Sequence, residues 1–441
     1  MVDKLFRGRA PTAQMTLLDP GCGRGAFIDG IIRWCNRHRV ELPRIVGVEL
    51  DPAHVRFCQA RFGAYSSISI VRADFLASEL VAVDAVIGNP PYVPITRLDE
   101  AEKAYYRHEF VTAHGRFDLY ALFFERALRC LRPGGRLVFI TPEKFLYVES
   151  SRELRWLLSG FALDELHLID ERTFEGLITY PLITTLDKSV PERATRVTNR
   201  SGESHLVGLR ARRESWLPLL RGHETVHGGR TLSEVCRRVS CGVATGADAV
   251  FVQRTSTLPR ELVPFAHPTV SGRELPLSGD VRSLNSILVP YDAAGRLLPE
   301  DDLRGLLTHL TYPTRYERLI RRTCVARKPW YSFHENPPLA DLLRPKILCK
   351  DIGPRPSFVI DKAGSIVPRH SVYYIVPEDP GLLEPLHRYL NSAAASKWLE
   401  AHCQRAANGF LRLQSAVLKR LPIPDDVAIA SPVIHRRARS A

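Results

Sequence analysis

No run of this 441-residue chain is apolar for long enough to span a membrane, and its start lacks the pattern of a secretory signal. Its nine cysteines (22, 35, 58, 130, 236, 241, 324, 349 and 403) form no C-x-x-C pair and no paired metal spacing. That absence argues against a disulfide framework and a zinc ribbon. The thiols suit a reduced cytoplasm, mostly as small core residues, so the expected location is cytoplasmic, with no membrane partner and no metal. No internal repeat of fixed period is visible. One segment imitates a metal site: His223-Glu224-Thr225-Val226-His227 fits the H-E-x-x-H pattern of zinc proteases, which needs both histidines on one face of a helix. Gly222 and Gly228-Gly229 bracket it and no third ligand is evident, so zinc hydrolysis is set aside.

Surplus negative charge is missing too. The chain carries a net charge of +13 with 45% hydrophobic residues, which suits a globular protein of two or three domains. Residues 1–190 hold 24 Lys+Arg against 24 Asp+Glu, whereas residues 191–441 hold 37 against 24, so the whole excess lies in the second half. Few lysines and many arginines would follow from a GC-rich genome, but that does not explain the asymmetry. A neutral half joined to a basic half points to a polyanionic substrate.

The most informative stretch is Asn89-Pro90-Pro91-Tyr92, which follows the apolar run Ala82-Val83-Asp84-Ala85-Val86-Ile87 after Gly88. It reads as a rigid turn at the end of a buried strand. Two prolines fix φ twice and remove two donors, which leaves the Pro90 carbonyl free to accept. The Asn89 amide is a second acceptor and Tyr92 a flat π surface. Such a group suits an amine on a planar ring. Accepting both its hydrogens pulls the nitrogen towards tetrahedral geometry and aims the lone pair at an electrophile. Alone, the tetrad fits a proline-terminated surface turn equally well.

Its company decides. Leu17-Leu18-Asp19-Pro20-Gly21-Cys22-Gly23-Arg24-Gly25 reads as a strand end and a glycine-rich loop that opens a helix, and it is not a phosphate-binding loop. Arg44 to Asp51 is a second buried strand, ending in Glu49 at about the spacing of a ribose-binding carboxylate. Ser67-Ile68-Ser69-Ile70-Val71 leads into Asp74-Phe75. Loop, acid, acid-aromatic pair and tetrad thus sit at four strand ends, where open α/β sheets bind ligands.

In this order the motifs resemble the TaqI-type S-adenosylmethionine-dependent DNA adenine-N6 methyltransferases. The resemblance runs through Gly115-Arg116-Phe117-Asp118-Leu119-Tyr120, an amphipathic helix over 119–131, Arg132-Pro133-Gly134-Gly135 and a strand over 136–142. It covers residues 15–190 well and extends more weakly to about 424. It implies a Rossmann-like class I methyltransferase domain with a mixed, mostly parallel sheet, followed by an α+β target-recognition domain. It also implies that Asp19, Gly21, Gly23 and Gly25 hold the methionine part of S-adenosyl-L-methionine, and that Glu49 binds its ribose. Asp74 and Phe75 are implied at its adenine, with Pro91 also in the cofactor site. Asn89 and Pro90 would bond the target amine, with Tyr92 and Phe174 on either side of an extruded base. Family members usually carry a Thr-Pro-containing segment and a helix that close over the cofactor. Only residues 1–16 precede the first strand here, and Pro11-Thr12 reverses the dipeptide, so the expectation is that the start is truncated, that another segment does this job, or that cofactor binding is weak.

The expected domains are 1–190 (catalytic), 191–230 (linker and last strands), 231–425 (target recognition) and 426–441 (a disordered basic tail). In the second half, Cys241 to Gly246, Ala249 to Val252, Ser286 to Pro290, Pro345 to Lys350 and Phe358 to Asp361 read as strands, and 383–421 reads as helical. Tyr312, Arg315, Tyr316, Arg318, Arg321, Arg322, Arg327, Lys328, Trp330 and Tyr331 form a basic-aromatic cluster, with Lys346 and Lys350 on nearby strands. Arginine forks grip phosphates or guanine edges, and aromatic rings cover sugars and bases. Arg315, Arg321, Arg322, Arg327, Lys328, Lys346 and Lys350 are the expected contacts to double-stranded DNA. A solvated helix face with Tyr312 and Tyr316 buried is the competing reading of the cluster. The expected activity is site-specific adenine-N6 methylation of DNA, alongside a cognate restriction endonuclease or other defence components. Cytosine-N4 methylation, glutamine-N5 methylation and a DNA-binding protein with a decayed catalytic half stay open.

Overall fold

Strands buried on both faces are continuous apolar runs rather than alternating ones. The first half of the sequence is built from such runs, and in the computed structural model they join into one sheet. The structure describes residues 1–79, 82–169, 180–209, 212–222, 229–406 and 410–428. It divides into two compact units, Met1–Glu224 and Thr225–Ala441.

The first unit is a nine-stranded sheet in the order β3-β2-β1-β4-β5-β7-β6-β8-β9. The strands are β1 (Thr16–Pro20), β2 (Arg44–Glu49), β3 (Ile68–Arg72), β4 (Val83–Gly88), β5 (Leu131–Pro142), β6 (Ala162–Leu168), β7 (Pro181–Asp187), β8 (Thr195–Thr198) and β9 (Ser204–Val207). Pairing is parallel from β3 to β5, and β7 is antiparallel to both its neighbours. The chain winds outward from β1 through β2 to β3 and then returns to β4 on the other side of β1. The winding therefore reverses between β1 and β4, and the crevice outside the carboxyl ends of such strands is where these sheets take ligands.

Five helices position the site and its supports: α1 (Val2–Phe6), α2 (Ala26–His38), α3 (Pro52–Phe62), α4 (Glu100–Glu109) and α5 (Leu119–Cys130). The apolar face of α5, including Phe124, Ala127 and Leu128, is buried against β4 and β5. Burying each large apolar side chain contributes about 1.5–3 kcal/mol, which outweighs the modest propensity cost of the aromatics. The α1 helix buries Leu5 and Phe6, and Arg136 on β5 donates to the carbonyls of Lys4 and Arg7 while pairing with Asp187.

The strand expected over 136–142 begins earlier, at Leu131, because Arg132 to Gly135 form a bulge. Val83 pairs with Leu131, but two residues on, Ala85 pairs with Arg136. Gly134 has φ +75°, and a Cβ on Gly135 would come within 2.8 Å of the Asp84 carbonyl, so the bulge requires glycine at both positions. The stretch after residue 190 adds β8 and β9 to the sheet.

In the second unit a four-stranded antiparallel sheet, Cys236–Cys241, Val372–Pro377, Lys346–Lys350 and Phe358–Asp361, is buried on both faces. Leu348, Val359, Tyr374 and Val376 pack into one core, and Ile347, Phe358, Ile375 and Val239 into another. The period of two along each strand accounts for the split. A three-stranded sheet joins Val252–Arg254, Asn285–Leu288 and Ala266–Thr269. Two expected strands are corrected. Cys241 to Gly246 is a strand only at Cys241, and Asp248–Phe251 is a helical turn before the strand at Val252. An apolar run of four, Ala249 to Val252, is short enough for local turn chemistry to overrule it: Thr245 Oγ1 bonds the Asp248 carboxylate and accepts from Ala247 N. The helical stretch over 383–421 is two helices, Leu383–Leu390 and Ala393–His402, followed by short strands and one helical turn.

Among the described residues no helix is long and apolar enough to cross a membrane, and no cluster of His, Cys, Asp and Glu could hold a metal ion. The His-Glu-x-x-His segment and the tail beyond residue 428 lie outside the described residues.

Candidate active site

The glycine loop leaves β1 with Gly21, Gly23 and Gly25 at φ +73°, +54° and +77°. L side chains rarely adopt this region, and a Cβ on Gly25 would collide with the Phe62 ring at 2.4 Å. Glu49 locks the loop to the end of β2. Its carboxylate accepts from Gly23 N at 2.8 Å, Leu50 N at 2.8 Å and Asp51 N at 2.9 Å. A carboxylate accepts at about four lone-pair sites, so one is left for a ligand.

Asp19 lies beneath the loop, 1% exposed, and among the described residues neither of its carboxylate oxygens has a hydrogen-bond partner. Burial, with a smaller contribution from the charge of Glu49, pushes its pKa up to about 8. An unpaired buried carboxylate is costly to keep. The adjacent strand end preserves the space beside it, since a Cβ on Gly88 would come within 3.4 Å of the Asp19 Oδ1.

A cavity of about 650 Å³ opens over these strand ends, lined by Gly21, Glu49, Asp74, Phe75, Asn89 and Pro91 among others. Phe75 is buried and meets Phe123 at 5.1 Å between ring centroids, and Asp74 Oδ1 accepts from Leu76 N. Glu102 and Tyr106 of α4 and Leu119 and Phe123 of α5 complete the lining, and none of these four was anticipated. The Asp99–Glu102 capping box was the available clue: it starts a helix there and sets Tyr106 one turn beyond Glu102 on the same face.

The tetrad at the end of β4 divides its side chains between two cavities. Asn89, Pro91 and Val93 face the larger one, while Tyr92 and Pro94 face a second cavity of about 410 Å³. Extended backbone alternates its side chains, and the two prolines hold it extended. Tyr92 donates its hydroxyl to Asn89 Oδ1 at 2.6 Å, so it fixes the amide at the boundary. Among the described residues nothing donates to the Pro90 carbonyl.

Tyr120, Tyr147 and Tyr180 share the smaller cavity with Tyr92. Lys144 pairs with Asp118 at 2.5 Å, and Arg200 pairs with Glu143 at 2.6 Å. Burial raises the Glu143 carboxyl above its ordinary range, and it raises Tyr92 to about 12. The three further tyrosines come from segments remote in sequence, which is why the linear reading missed them. Phe174 lies outside the described residues.

The second unit changes the expected DNA-contact set. Lys346 is fully buried and pairs with Asp361 at 2.6 Å, because it stands opposite Asp361 on one buried face of the sheet. Arg322 turns inward and donates to the carbonyls of Leu319, Thr245, Ser332 and Trp330. Neither side chain presents its charge to a partner. Arg315 is half-buried and bonds the His309 carbonyl, and Lys328 bonds the His334 carbonyl and Asn336. Arg321 and Arg327 are exposed, and Lys350 is half-buried. Tyr312 and Tyr316, considered above as buried helix anchors, are 61% and 39% exposed.

Comparison with known proteins agrees with this architecture. Residues 68–174 match the Eco57I restriction-modification methylase family, and residues 306–423 match the TaqI-like C-terminal specificity domain. The chain is 29% identical over 408 residues to the Type II methyltransferase M.XhoI of Xanthomonas vasicola, covering 82% of this chain and 72% of that protein. It is 27% identical over 412 residues to M.PaeR7I of Pseudomonas aeruginosa, covering 84% and 70%. Among solved structures it shares a fold with the Type IIL restriction-modification enzyme MmeI in complex with DNA. The TM-score is 0.64 at 14% identity, over 92% of this chain and 61% of that one. With a methylase family matched over residues 68–174 and a specificity-domain family over residues 306–423, the chain has the two-part make-up of a TaqI-type restriction-modification methyltransferase with a C-terminal recognition domain.

Proposed function

We propose that the chain is a site-specific DNA methyltransferase that methylates the N6 amine of an adenine turned out of duplex DNA. The observation that carries this reading is the tetrad's division between two cavities. One is lined by the ribose-suited acid Glu49 and the Phe75–Phe123 pair, with the unpaired Asp19 carboxylate buried two residues before its lining Gly21, and the other is walled by four tyrosines. A methyl donor on one side and a planar amine on the other would meet at Asn89. Both cavities fall in the range of small-molecule sites, roughly 300–1,000 Å³.

The residues present fit S-adenosylmethionine. Asp19 would take its ammonium, the last lone pair of Glu49 a ribose hydroxyl, and Asp74 and Phe75 its adenine. When bound, this cofactor supplies an electrophilic methyl group. The chain's own residues then orient and align. Asn89 Oδ1 and the Pro90 carbonyl accept the two hydrogens of the target amine and turn its lone pair towards the larger cavity. Tyr92 covers one face of the base, with Phe174 assigned by resemblance to the other. No strong base is required, since the proton becomes acidic only as the methyl arrives and leaves through Asn89, the Pro90 carbonyl or water. A base within a duplex cannot reach such a pocket, so flipping is part of the reading.

The second unit is assigned target recognition, with the exposed Arg321 and Arg327 and the half-buried Lys328 and Lys350 among its contacts to DNA. M.XhoI and M.PaeR7I are named as Type II methyltransferases, which supports a restriction-modification setting and a cognate endonuclease as partner. The test is to methylate unmodified duplex DNA and digest it to nucleosides. N6-methyladenine is expected. N4-methylcytosine would move the activity to cytosine, and no methylated nucleoside would refute it.

A further inference from the structure

We infer that the helix Pro313–Ile320 of the second unit reads base edges, with Glu317 accepting from the N4 amine of a cytosine and Arg321 gripping a guanine. The inference rests on the DNA-methyltransferase reading above and names the side chains that set its site.

One side of this helix is spoken for. Leu319 is fully buried, and Arg315 and Arg322 turn their guanidinium groups onto backbone carbonyls. Next around the helix comes an apolar row at i, i+4 and i+8. Tyr312, Tyr316 and Ile320 are 61%, 39% and 42% exposed. Beyond it, at the point farthest from the core, stand Glu317 and Arg321, with side chains 65% and 80% exposed. Their mutual contact is a marginal 4.0 Å, too weak in water to hold either side chain back. Large apolar groups exposed in a row on one short helix mark a surface that a partner covers.

The charges say which partner. Between Tyr312 and Lys328 the sequence has six cations (Arg315, Arg318, Arg321, Arg322, Arg327 and Lys328) and a single anion, Glu317. With Arg315 and Arg322 turned onto carbonyls, four cations remain against the one anion, and that balance fits duplex DNA. A helix lying only along phosphates would gain from each cation and lose from a carboxylate at its outermost point. In a duplex, a carboxylate can accept only from base amines, and glutamate pairs with cytosine N4 in the major groove. A guanidinium four residues on, roughly 6 Å along the axis, reaches a base about two steps away and matches O6 and N7 of guanine. Ile320 and Tyr316 lie where they would cover a thymine methyl or a sugar, and Arg318 and Thr314 flank the outer side as phosphate contacts. The anion that would weaken a backbone grip is what a base reader needs.

The test uses the full chain. Wild type, Glu317→Gln, Glu317→Ala and Arg321→Ala are expressed in a host without other DNA methylation, and the methylated motif of each is read by single-molecule sequencing. Wild type is expected to mark one motif containing a C·G pair. Glu317→Gln should admit A·T at one position of that motif, because a glutamine amide matches adenine N6 and N7. Arg321→Ala should lose discrimination at a guanine, each change being roughly ten- to a hundredfold at its own position. Methylation at the relaxed sites itself shows that the variants fold. If all variants keep the wild-type motif, the inference falls while the methyltransferase reading stands. Uniformly tighter binding by Glu317→Ala with an unchanged motif would place Glu317 over phosphates and also overturn it. A wild-type chain that methylates no motif would overturn both readings.

Discussion

Replacing Asp19 by asparagine should make the ligand-free protein more stable near neutral pH while destroying its hold on the cofactor. Asp19 is buried, has no hydrogen-bond partner among the described residues, and titrates at about 8 instead of its ordinary 3.8. Between those two values the folded state binds a proton that the unfolded state has released. Stability therefore falls as pH rises from about 4 to about 8, by up to ~1.4 kcal/mol per pH unit. At pH 7 the cost of protonating this carboxyl in the fold is on the order of 4 kcal/mol, and near pH 5 it is only about 1–2 kcal/mol. Asparagine removes that cost but leaves an amide with no partner in the same dry place, at roughly 1–3 kcal/mol. The net gain at pH 7 should be about 1–3 kcal/mol, or a few degrees in the melting of a unit this size. By pH 5 it should vanish or reverse. Thermal melts of wild type and Asp19→Asn without ligand, from pH 5 to 8.5, measure the difference directly. Calorimetry should also show that wild type releases close to one proton on binding S-adenosylmethionine at pH 7, and that the variant binds it much more weakly. A gap between the two melting curves that stays constant across this range would refute the argument, because it would mean that the carboxyl titrates normally and is not waiting for a cation.

Asn89→Ala should abolish methyl transfer yet leave cofactor and DNA affinity nearly unchanged, since Asn89 acts on the amine as reaction begins; near wild-type turnover would remove the tetrad from the mechanism. Tyr92→Phe keeps the ring but loses the hydroxyl that fixes Asn89, so kcat should drop about two- to tenfold, the worth of one neutral hydrogen bond, at unchanged KM. An unaltered kcat would show that the amide needs no such hold. Arg322→Ala should cost the second unit roughly 3 kcal/mol in denaturant melts, because it leaves four carbonyls short of a donor. Arg321→Ala should stay within about 0.5 kcal/mol of wild type in the same experiment. Equal losses in the two would mean that the inward contacts of Arg322 contribute nothing.

The first sheet was legible because its information is local. Apolar runs ending in Gly21, Glu49, Asp74 and Asn89 announce buried strands and their ligand-facing ends within a few residues. The roles of the second half depend on what lies opposite in space. Lys346 and Arg321 look alike in sequence, yet one faces Asp361 across a doubly buried sheet and the other faces solvent. The Ile-Leu-Cys run marks a strand covered on both faces, but nothing in the pattern shows that the flanking Lys346 is covered as well. Arg321 and Arg322 are neighbours whose directions differ by one helical step, enough to send one to the core and the other to water. The tyrosine-walled cavity was missed for a related reason. Tyr120, Tyr147 and Tyr180 are ordinary aromatics until the start of α5 and the paired ends of β5 and β7 bring them beside Tyr92.

The alternation of side chains along Asn89 to Pro94 makes the length of this segment less negotiable than its composition. Inserting one residue directly after Gly88 would exchange the assignments of the side chains that follow it. Tyr92 would turn into the larger cavity and Asn89 away from it. A substitution changes one contact; a single-codon insertion at this point inverts the whole segment. Libraries meant to retune this protein should therefore keep the spacing of this segment fixed, leave Asn89 and Tyr92 in place, and put their junctions elsewhere. For the same reason, an in-frame codon gained at this point should behave in a genetic screen like a null allele, although the fold around it would survive.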